Sequence, residues 1–181
     1  MYAECMHTQN LPLVYKINTM VTQHNSTNIK KSLAIFLEME DIRYVIMEET
    51  EHRQMVHSRF SFDHGTLDYY ITYDISHQML NFFCMSGLKF NENSHAEIRK
   101  YYSYVSSFFL NSSLMIMHPE SGESISKSTI LLDDVEDISL NLIQRHFAQN
   151  YYNFQQYFSG AMRIAYGDIS AKEALSEVIA K

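Results

Sequence analysis

The feature that most constrains the fold is a helix-like stretch that runs directly into two strand-like stretches, within residues 94–134. Apolar residues spaced by three and four form a broad stripe in its first part: Ile98, Tyr101, Tyr102, Val105, Phe108 and Phe109. This spacing predicts an amphipathic helix that packs its stripe on another element. Two extended segments follow, 114–117 and 125–132, with turn residues at 119–122. We therefore expect the helix to cover a sheet that contains this hairpin, with Phe108 as the last core residue of the stripe.

The segments before this stretch predict one helix and three or four strands. Asn25, Ser26 and Thr27 are good N-cap residues for a helix that runs to about Asp41. The apolar period then changes to two, which predicts strands at 44–48, 55–62 and 67–74. A fourth strand is expected at 79–85, ended by Gly87.

The segments after it predict a long helix and a short one. Acidic residues favour a helix start because they complement the helix dipole, and four stand together in the sequence: Asp133, Asp134, Glu136 and Asp137. The long helix is expected to reach about Tyr166, and Ser170 is expected to cap the short one. In the central helix, Ser94 with Glu97 has the spacing of a capping box.

The turn around Gly65 predicts how two of the strands pair. Glycine readily takes the positive φ of a two-residue hairpin loop, here His64 and Gly65. That loop would pair Phe62 with Leu67 and Phe60 with Tyr69. Polar side chains then share the opposite, solvent-facing side of the sheet: His57, Arg59, Ser61, Asp68, Tyr70 and Thr72.

Taken together, the elements predict an α+β fold. Its order is helix, three or four strands, helix, two strands, long helix, short helix, with an antiparallel sheet and helices packed on one face. Residues 1–24 show no sustained period and are interpreted as an N-terminal extension, while 25–181 form a single domain. A chain of 181 residues is long enough to build one substantial core.

Composition excludes several classes of partner. The net charge is -7 and only 14 residues are Lys or Arg, which argues against nucleic-acid binding. Apolar runs are far shorter than a membrane helix requires, and residues 1–10 lack the pattern of a signal peptide. Cys5 and Cys84 are too few for a disulfide framework. We expect a cytoplasmic protein that binds neither nucleic acid nor membrane.

The residues that could carry chemistry match no known arrangement. His52 and His57 lie near Glu48, Glu49 and Glu51, but their spacings match no metal-binding motif, so we interpret them as surface residues. Cys84 stands in an apolar run, where a thiol usually fills the core. The sequence therefore predicts no metal, no cofactor and no catalytic residue.

Aromatic residues give the remaining functional lead. The chain has 13 Tyr, 11 Phe and 11 Met. Helical neighbours diverge by about 100°, so one ring of the pair Tyr101 and Tyr102, and one of Tyr151 and Tyr152, should reach the surface unless both are partly buried at the helix shoulders. Candidate partner-binding residues come from the helices and from the polar side of the sheet: Tyr102, Tyr152, His57, Arg59, Asp68 and Tyr70.

A family resemblance accompanies this pattern. Matching residues lie at the end of the central helix and in the hairpin after it, namely Phe109, Asn111, Leu114, Gly122, Ile125, Ile130 and Leu131. Others lie in and between the closing helices, namely Ile143, Tyr157, Ala165, Tyr166, Gly167, Ile169, Ser170, Ala171, Glu173 and Ala174. On these residues, span 26–180 resembles the YbjN-type proteins, small bacterial proteins often labelled sensory transduction regulators. Their fold is similar to that of type III secretion chaperones. The resemblance implies that fold and a non-enzymatic role.

The sequence thus favours a non-enzymatic protein-interaction module, either chaperone-like or regulatory. Its partner is expected to be a protein, and a homodimer is left open. The alternative is a small-molecule-binding or metal-dependent enzyme that uses the polar sheet face around His57, Arg59, Asp68 and Tyr70. A concave pocket there would favour the enzyme, whereas an open apolar face would favour the binding module.

Overall fold

The structure, a computed structural model, describes residues 25–110, 112–132, 137–167 and 169–180, with the backbone alone at 25–27. These residues form four α-helices: α1 Asn25–Met39, α2 His95–Phe108, α3 Leu140–Gly167 and α4 Ala171–Ile179. They also form six strands: β1 Val45–Glu49, β2 Arg53–Phe62, β3 Gly65–Asp74, β4 Met79–Lys89, β5 Ser113–Met117 and β6 Glu123–Leu131. The predicted order is confirmed. The extension 1–24 and the predicted helix-starting residues Asp133, Asp134 and Glu136 lie outside the described residues.

The six strands form one antiparallel sheet in the order β1-β2-β3-β4-β6-β5. Alternate residues of each strand point to opposite sides, and one side is packed against the helices. On β3 the helix-facing residues are Leu67, Tyr69, Ile71 and Tyr73, all buried in the core. The predicted α+β class, with an antiparallel sheet and helices on one face, is confirmed.

The longest helix, α3, crosses the buried side of the sheet. Its core-facing residues are Ile143, Phe147, Asn150, Tyr151, Phe154, Tyr157, Phe158, Gly160, Ala161 and Ile164. The Tyr69 hydroxyl donates to the Phe147 carbonyl at 3.1 Å, so even a buried phenol has a partner. Because α3 also contacts α1, α2 and α4, it joins every helix to the sheet.

Strand β6 meets α3 through small polar residues. Three of its helix-facing side chains are Ser124, Ser126 and Ser128, and the Ser126 hydroxyl donates to the side chain of Asn150. The Asn150 amide in turn lies 3.6 Å from the Cys84 sulfur. Burial raises the pKa of the Cys84 thiol well above its usual value, which fits the predicted core-filling role. Small side chains on β6 therefore let α3 approach the sheet closely.

The predicted register of β2 and β3 is wrong by two residues. Phe62 pairs with Gly65 and Phe60 with Leu67, so the loop consists of Asp63 and His64. Gly65 has the expected positive φ, +132°, but takes it as the first residue of β3. A shift of two leaves every side chain on its predicted side, because side chains alternate with a period of two.

Three boundary predictions also need correction. Ser94 makes no side-chain cap to α2, because its hydroxyl donates to the Asn91 carbonyl at 2.7 Å. The Glu97 carboxylate accepts the backbone N–H of Ala171 at 2.8 Å. Gly87 does not end β4, since the strand continues through it with irregular pairing and a φ of +67°. Asp137 precedes α3 by three residues and accepts a hydrogen bond from Ser32 of α1.

The stripe of α2 was predicted wrongly at its end. Tyr102, expected at the surface, is 1% exposed, and its hydroxyl lies 2.6 Å from that of Ser124. Phe108, expected in the core, is 74% exposed. The physical reason is the width of the sheet: Ser106 already bonds Met115 of the outermost strand, so the last turn of α2 extends past the sheet.

We expect the two α2 aromatics to differ sharply in their contribution to stability. Tyr102→Ala should lower the free energy of unfolding by about 3–5 kcal/mol, because it leaves a cavity and an unpaired Ser124 hydroxyl. Phe108→Ala should change it by less than about 0.5 kcal/mol. Urea denaturation of both variants is the measurement, and equal losses would contradict the assigned burial.

Gly160 should resist substitution even though alanine is the better helix former. A Cβ at Gly160 would overlap the ring and hydroxyl of Tyr101, which is fully buried and donates to the Tyr157 carbonyl. We expect Gly160→Ala to cost about 1–3 kcal/mol of unfolding free energy by urea denaturation. Gly167→Ala is the matched control, since nothing lies near its Cβ, and it should be neutral or stabilising by up to about 1 kcal/mol. Equal stability of the two variants would count against the close packing.

Candidate functional site

The candidate site is the side of the sheet opposite the helices, which we name the open face. Within the described part of the chain, the core cluster contains none of its outward-facing side chains. The polar half of the open face consists of His57, Arg59, Asp68 and Tyr70 on β2 and β3. The apolar half consists of residues on β4, β5 and β6: Phe83, Met85, Leu114, Ile116, Ile125 and Lys127.

The polar half is an ion-paired cluster. Arg59 pairs with Asp68 across the strands, and the Arg59 Nε and Nη2 atoms each lie 2.8 Å from Asp68 Oδ1. The His57 Nε2 atom lies 2.8 Å from the same oxygen. The His57 and Tyr70 rings stack with centroids 4.7 Å apart. The structure thus brings together all four sheet residues that the sequence singled out.

Electrostatics keep this cluster charged. Burial acts to raise the pKa of Asp68, but hydrogen bonds from Arg59 and His57 outweigh it and hold that pKa below its ordinary value. The same contact raises the pKa of Arg59. Burial and the Asp68 charge raise the pKa of Tyr70, so its hydroxyl stays protonated at neutral pH. The cluster is therefore a fixed pattern of paired charges beside an aromatic ring.

The apolar half presents aliphatic side chains to solvent. Leu114 is 46% exposed and Ile116 is 36% exposed, both on the outermost strand β5. Ile125, which is only 9% exposed, pairs with Ile116 on one side and with Met85 on the other, so these side chains are neighbours. Exposed apolar residues that adjoin each other are more informative than scattered ones.

Sequence reasoning missed the apolar half. Leu114 and Ile125 entered only as strand and family residues, because their hydrophobicity suggested the core. The period of two did carry a signal, since Ser124, Ser126 and Ser128 alternate with Ile125 and Lys127. The serines occupy the buried side, which leaves Ile125 facing outward.

The free edges of the sheet are protected against the addition of another strand. At β5, the Ser106 hydroxyl accepts from the Met115 N–H at 3.0 Å and donates to the Met115 carbonyl at 3.1 Å. At β1, the pairing shifts between Ile46 and Glu48, which indicates a bulge. Both devices discourage edge pairing. A partner of this sheet would therefore use the side chains of the open face.

The two tyrosines predicted to bind a partner do not join the polar half. Tyr102 is buried under α2, as described above. Tyr152 is 39% exposed, as expected for one ring of its pair, but it lies on α3 and packs edge-on against Tyr151 with centroids 5.6 Å apart. The helices and the open face are on opposite sides of the sheet, so Tyr152 cannot contribute to the same contact.

A cleft of about 410 Å³ lies away from the open face, between the start of α2 and the junction of α3 with α4. Its polar side chains already serve the backbone: Glu97 accepts from Ala171, and Asn91 accepts from the Asn93 N–H at 3.0 Å. The cleft contains none of the four residues of the polar half.

Among residues 25–110, 112–132, 137–167 and 169–180, no three His, Cys, Asp or Glu side chains are grouped so that they could hold a metal ion. In the same ranges, the helices are too short or too polar for any of them to traverse a lipid bilayer.

Fold and face together define an α+β protein whose antiparallel sheet has helices on one side and an amphipathic surface on the other. A search of solved structures finds similarity to YbjN, a proposed transcription regulator from E. coli. The TM-score is 0.48 and the sequence identity 11%, over 77% of this chain and 90% of that chain. The solved structure bears the name of the family that the sequence resembles. No protein-family model matches the chain, and no curated protein matches it.

Ser106 should be important for the protected edge. Ser106→Ala leaves the Met115 N–H and carbonyl without their shared partner, so we expect a loss of about 1–3 kcal/mol in unfolding free energy. Concentration-dependent light scattering should also rise, because the edge becomes available for pairing. Ser107→Ala is the control, since Ser107 is exposed. If both variants behave like the parent chain, the hydroxyl does not protect the edge.

Proposed function

We propose that this protein is a non-enzymatic interaction module, regulatory or chaperone-like, that binds a protein partner through the open face. The observation that carries the proposal is the exposure of Leu114 and Ile116 beside Phe83 and Met85, on the uncovered side of a rigid sheet. Aromatic, Met and Arg side chains are the residue types enriched in protein interfaces. A cytoplasmic location fits the buried free thiol of Cys84.

The two halves of the face would play different parts in binding. Burial of half-exposed aliphatic side chains by a partner would stabilise the complex by about 25 cal/mol for each Å² of apolar surface removed from water. The Arg59–Asp68–His57 cluster is already paired, so it adds little affinity by itself and instead restricts which partner groups fit. Affinity would thus come from the apolar half and selectivity from the polar half.

An enzyme that uses the polar half is the second candidate. The 2.8 Å contact between His57 and Asp68 favours it, because a carboxylate that orients an imidazole occurs in many acid–base sites. Against it, Arg59 binds the same oxygen and the four residues lie on an open sheet surface. Binding sites for small substrates are usually concave. The interaction module accounts for both halves of the face, whereas the enzyme accounts for one.

Site-specific photo-crosslinking tests the proposal. A photoreactive phenylalanine derivative is placed at Leu114 on the open face and, in a second variant, at Ile179 on α4, which is equally aliphatic and 51% exposed. After irradiation in the native host, we expect a discrete protein adduct from position 114 and none from position 179. Mass spectrometry of the adduct identifies the partner. Absence of adducts at 114, or identical adducts from both positions, would remove the open face as the binding surface.

A further inference from the structure

Two residues of β6 bring opposite charges to the open face. Glu123 and Lys127 alternate with the buried serines of the strand, so both side chains point away from the helices. The Glu123 carboxylate accepts from the Ser121 hydroxyl at 2.9 Å, and the Lys127 ammonium group lies 5.4 Å from the centre of the Phe83 ring. Of the ion pairs within the described part of the chain, none includes Glu123 or Lys127.

The electrostatics of Tyr70 agree with this placement of Glu123. Burial and the charges of Asp68 and Glu123 raise the pKa of Tyr70. Tyr70 belongs to the polar half of the open face, so the Glu123 carboxylate acts on the same side of the sheet.

The two charges flank an apolar row and are too far apart to pair with each other. Four residues of a strand span about 13 Å. Midway between the charges, Ile125 lies level with Ile116 of β5 and Met85 of β4. An occupant that covers this row removes water from both charges, and an unpaired charge is costly to bury. The occupant must therefore bring an anion to Lys127 and a cation to Glu123.

This pattern is complementary to itself. A two-fold interface uses the same surface on both subunits. An axis that crosses the strands at Ile125 reverses the direction of β6 in the second copy, so Lys127 of each copy lies over Glu123 of the other. Stacked sheets are about 10 Å apart, a gap that a lysine and a glutamate side chain span together. An axis along β6 would instead stack Lys127 on its own copy, which like-charge repulsion disfavours.

The polar half is compatible with this arrangement. The apolar row continues into Asp68 of β3 and Arg59 of β2, whose charges balance each other within one copy. Stacked sheets cross at about 30°. Residues two or three strands away from Ile125 are therefore displaced along the strands from their own counterparts.

Residues 1–24 fit the charge pattern less well. Their Asp, Glu, Lys and Arg residues are Glu4 and Lys16, and twelve residues in an extended conformation span about 40 Å. His7 is closer to Glu4 but is mostly neutral at pH 7. An extended segment from this range could place Glu4 on Lys127, but it would leave Glu123 without a cation.

We propose that the apolar half binds a second copy of the chain, in a two-fold dimer whose sheets stack face to face around Ile125. This inference rests on the proposed function and names the partner of the open face. Two equivalent ion pairs join Lys127 of each copy to Glu123 of the other, and Leu114 and Ile116 lose contact with water. The copies meet by their faces because the edges of the sheet are protected.

Charge reversal tests the dimer. Sedimentation equilibrium gives Kd for the full chain, Lys127→Glu, Glu123→Lys, the double variant and the control Lys172→Glu, whose site is exposed on α4. Thermal melts first confirm that each variant is folded. We expect dimers of the parent chain and the control, a Kd about tenfold weaker or more for each single variant, and recovery in the double variant.

A mixture of the two single variants gives the most specific result. One variant carries an affinity tag, so that native mass spectrometry separates heterodimers from homodimers. We expect mainly heterodimers, because the carboxylate introduced at position 127 lies over the ammonium group introduced at position 123. Glu123 of the first variant likewise lies over Lys127 of the second. If a charge reversal prevents folding, the neutral variants Lys127→Met and Glu123→Gln replace it, and each should weaken the dimer.

The contrary outcomes separate this inference from the proposed function. A chain that stays monomeric up to about 1 mM overturns the dimer. A dimer that the single variants leave unchanged, or that the double variant does not restore, overturns the assigned interface. The photo-crosslink at position 114 then decides the proposed function: an adduct with a different protein retains the open face as a binding surface. A crosslink to residues 1–24 of the same chain, or none, overturns the proposed function as well.

Discussion

The packing of α3 across the sheet is the contact on which the rest of this structure depends. Phe147 of α3 lies against Phe60 and Tyr69 of neighbouring strands, with ring centroids 5.9 and 4.3 Å away. The Tyr101 hydroxyl of α2 donates to the Tyr157 carbonyl of α3 at 3.0 Å, and Gly160 of α3 leaves room for the Tyr101 ring. A single helix therefore holds both the sheet and the neighbouring helix, so the core has one centre and lies on one side of the sheet.

A one-sided core decides what is available for function. Each strand offers half of its side chains to the helices, and the other half is free to serve another purpose because the fold does not require them. Strand β6 shows this most clearly. Its serines face the core, where small side chains let α3 approach, and Ile125 with Lys127 faces outward. The same residues that permit close helix packing thus leave an aliphatic surface on the open side.

The alternation of side chains along a strand predicts correctly which side of the sheet a residue occupies. The sequence is less informative about how far an element or the sheet extends. The polar half was assembled correctly, although the turn at Gly65 was placed two residues away from its true position, because an even shift keeps every side chain on its side. Tyr102 and Phe108 were exchanged because a helical stripe does not reveal where the sheet beneath it ends. The apolar half was missed because hydrophobicity alone assigns Leu114 and Ile116 to the core. Their outward direction follows from the pairing of β5 with β6, in which Met115 and Ser126 take the helix-facing side.

The two halves of the open face differ in how their charges are balanced, and this difference bears on the binding role proposed above. In the polar half, Asp68 already accepts from Arg59 and His57, so the proposed partner would have to fit around groups whose positions are set. In the apolar half, the Lys127 ammonium group has a flexible stem and lies 5.4 Å from the centre of the Phe83 ring. A cation–π contact compensates a desolvated ammonium group in part, whereas a carboxylate does so more completely. Apolar contact alone would accept many hydrophobic segments. If the open face binds a protein as proposed, the Lys127 charge would penalise segments that bring no anion, and one lysine would thereby make a hydrophobic surface selective.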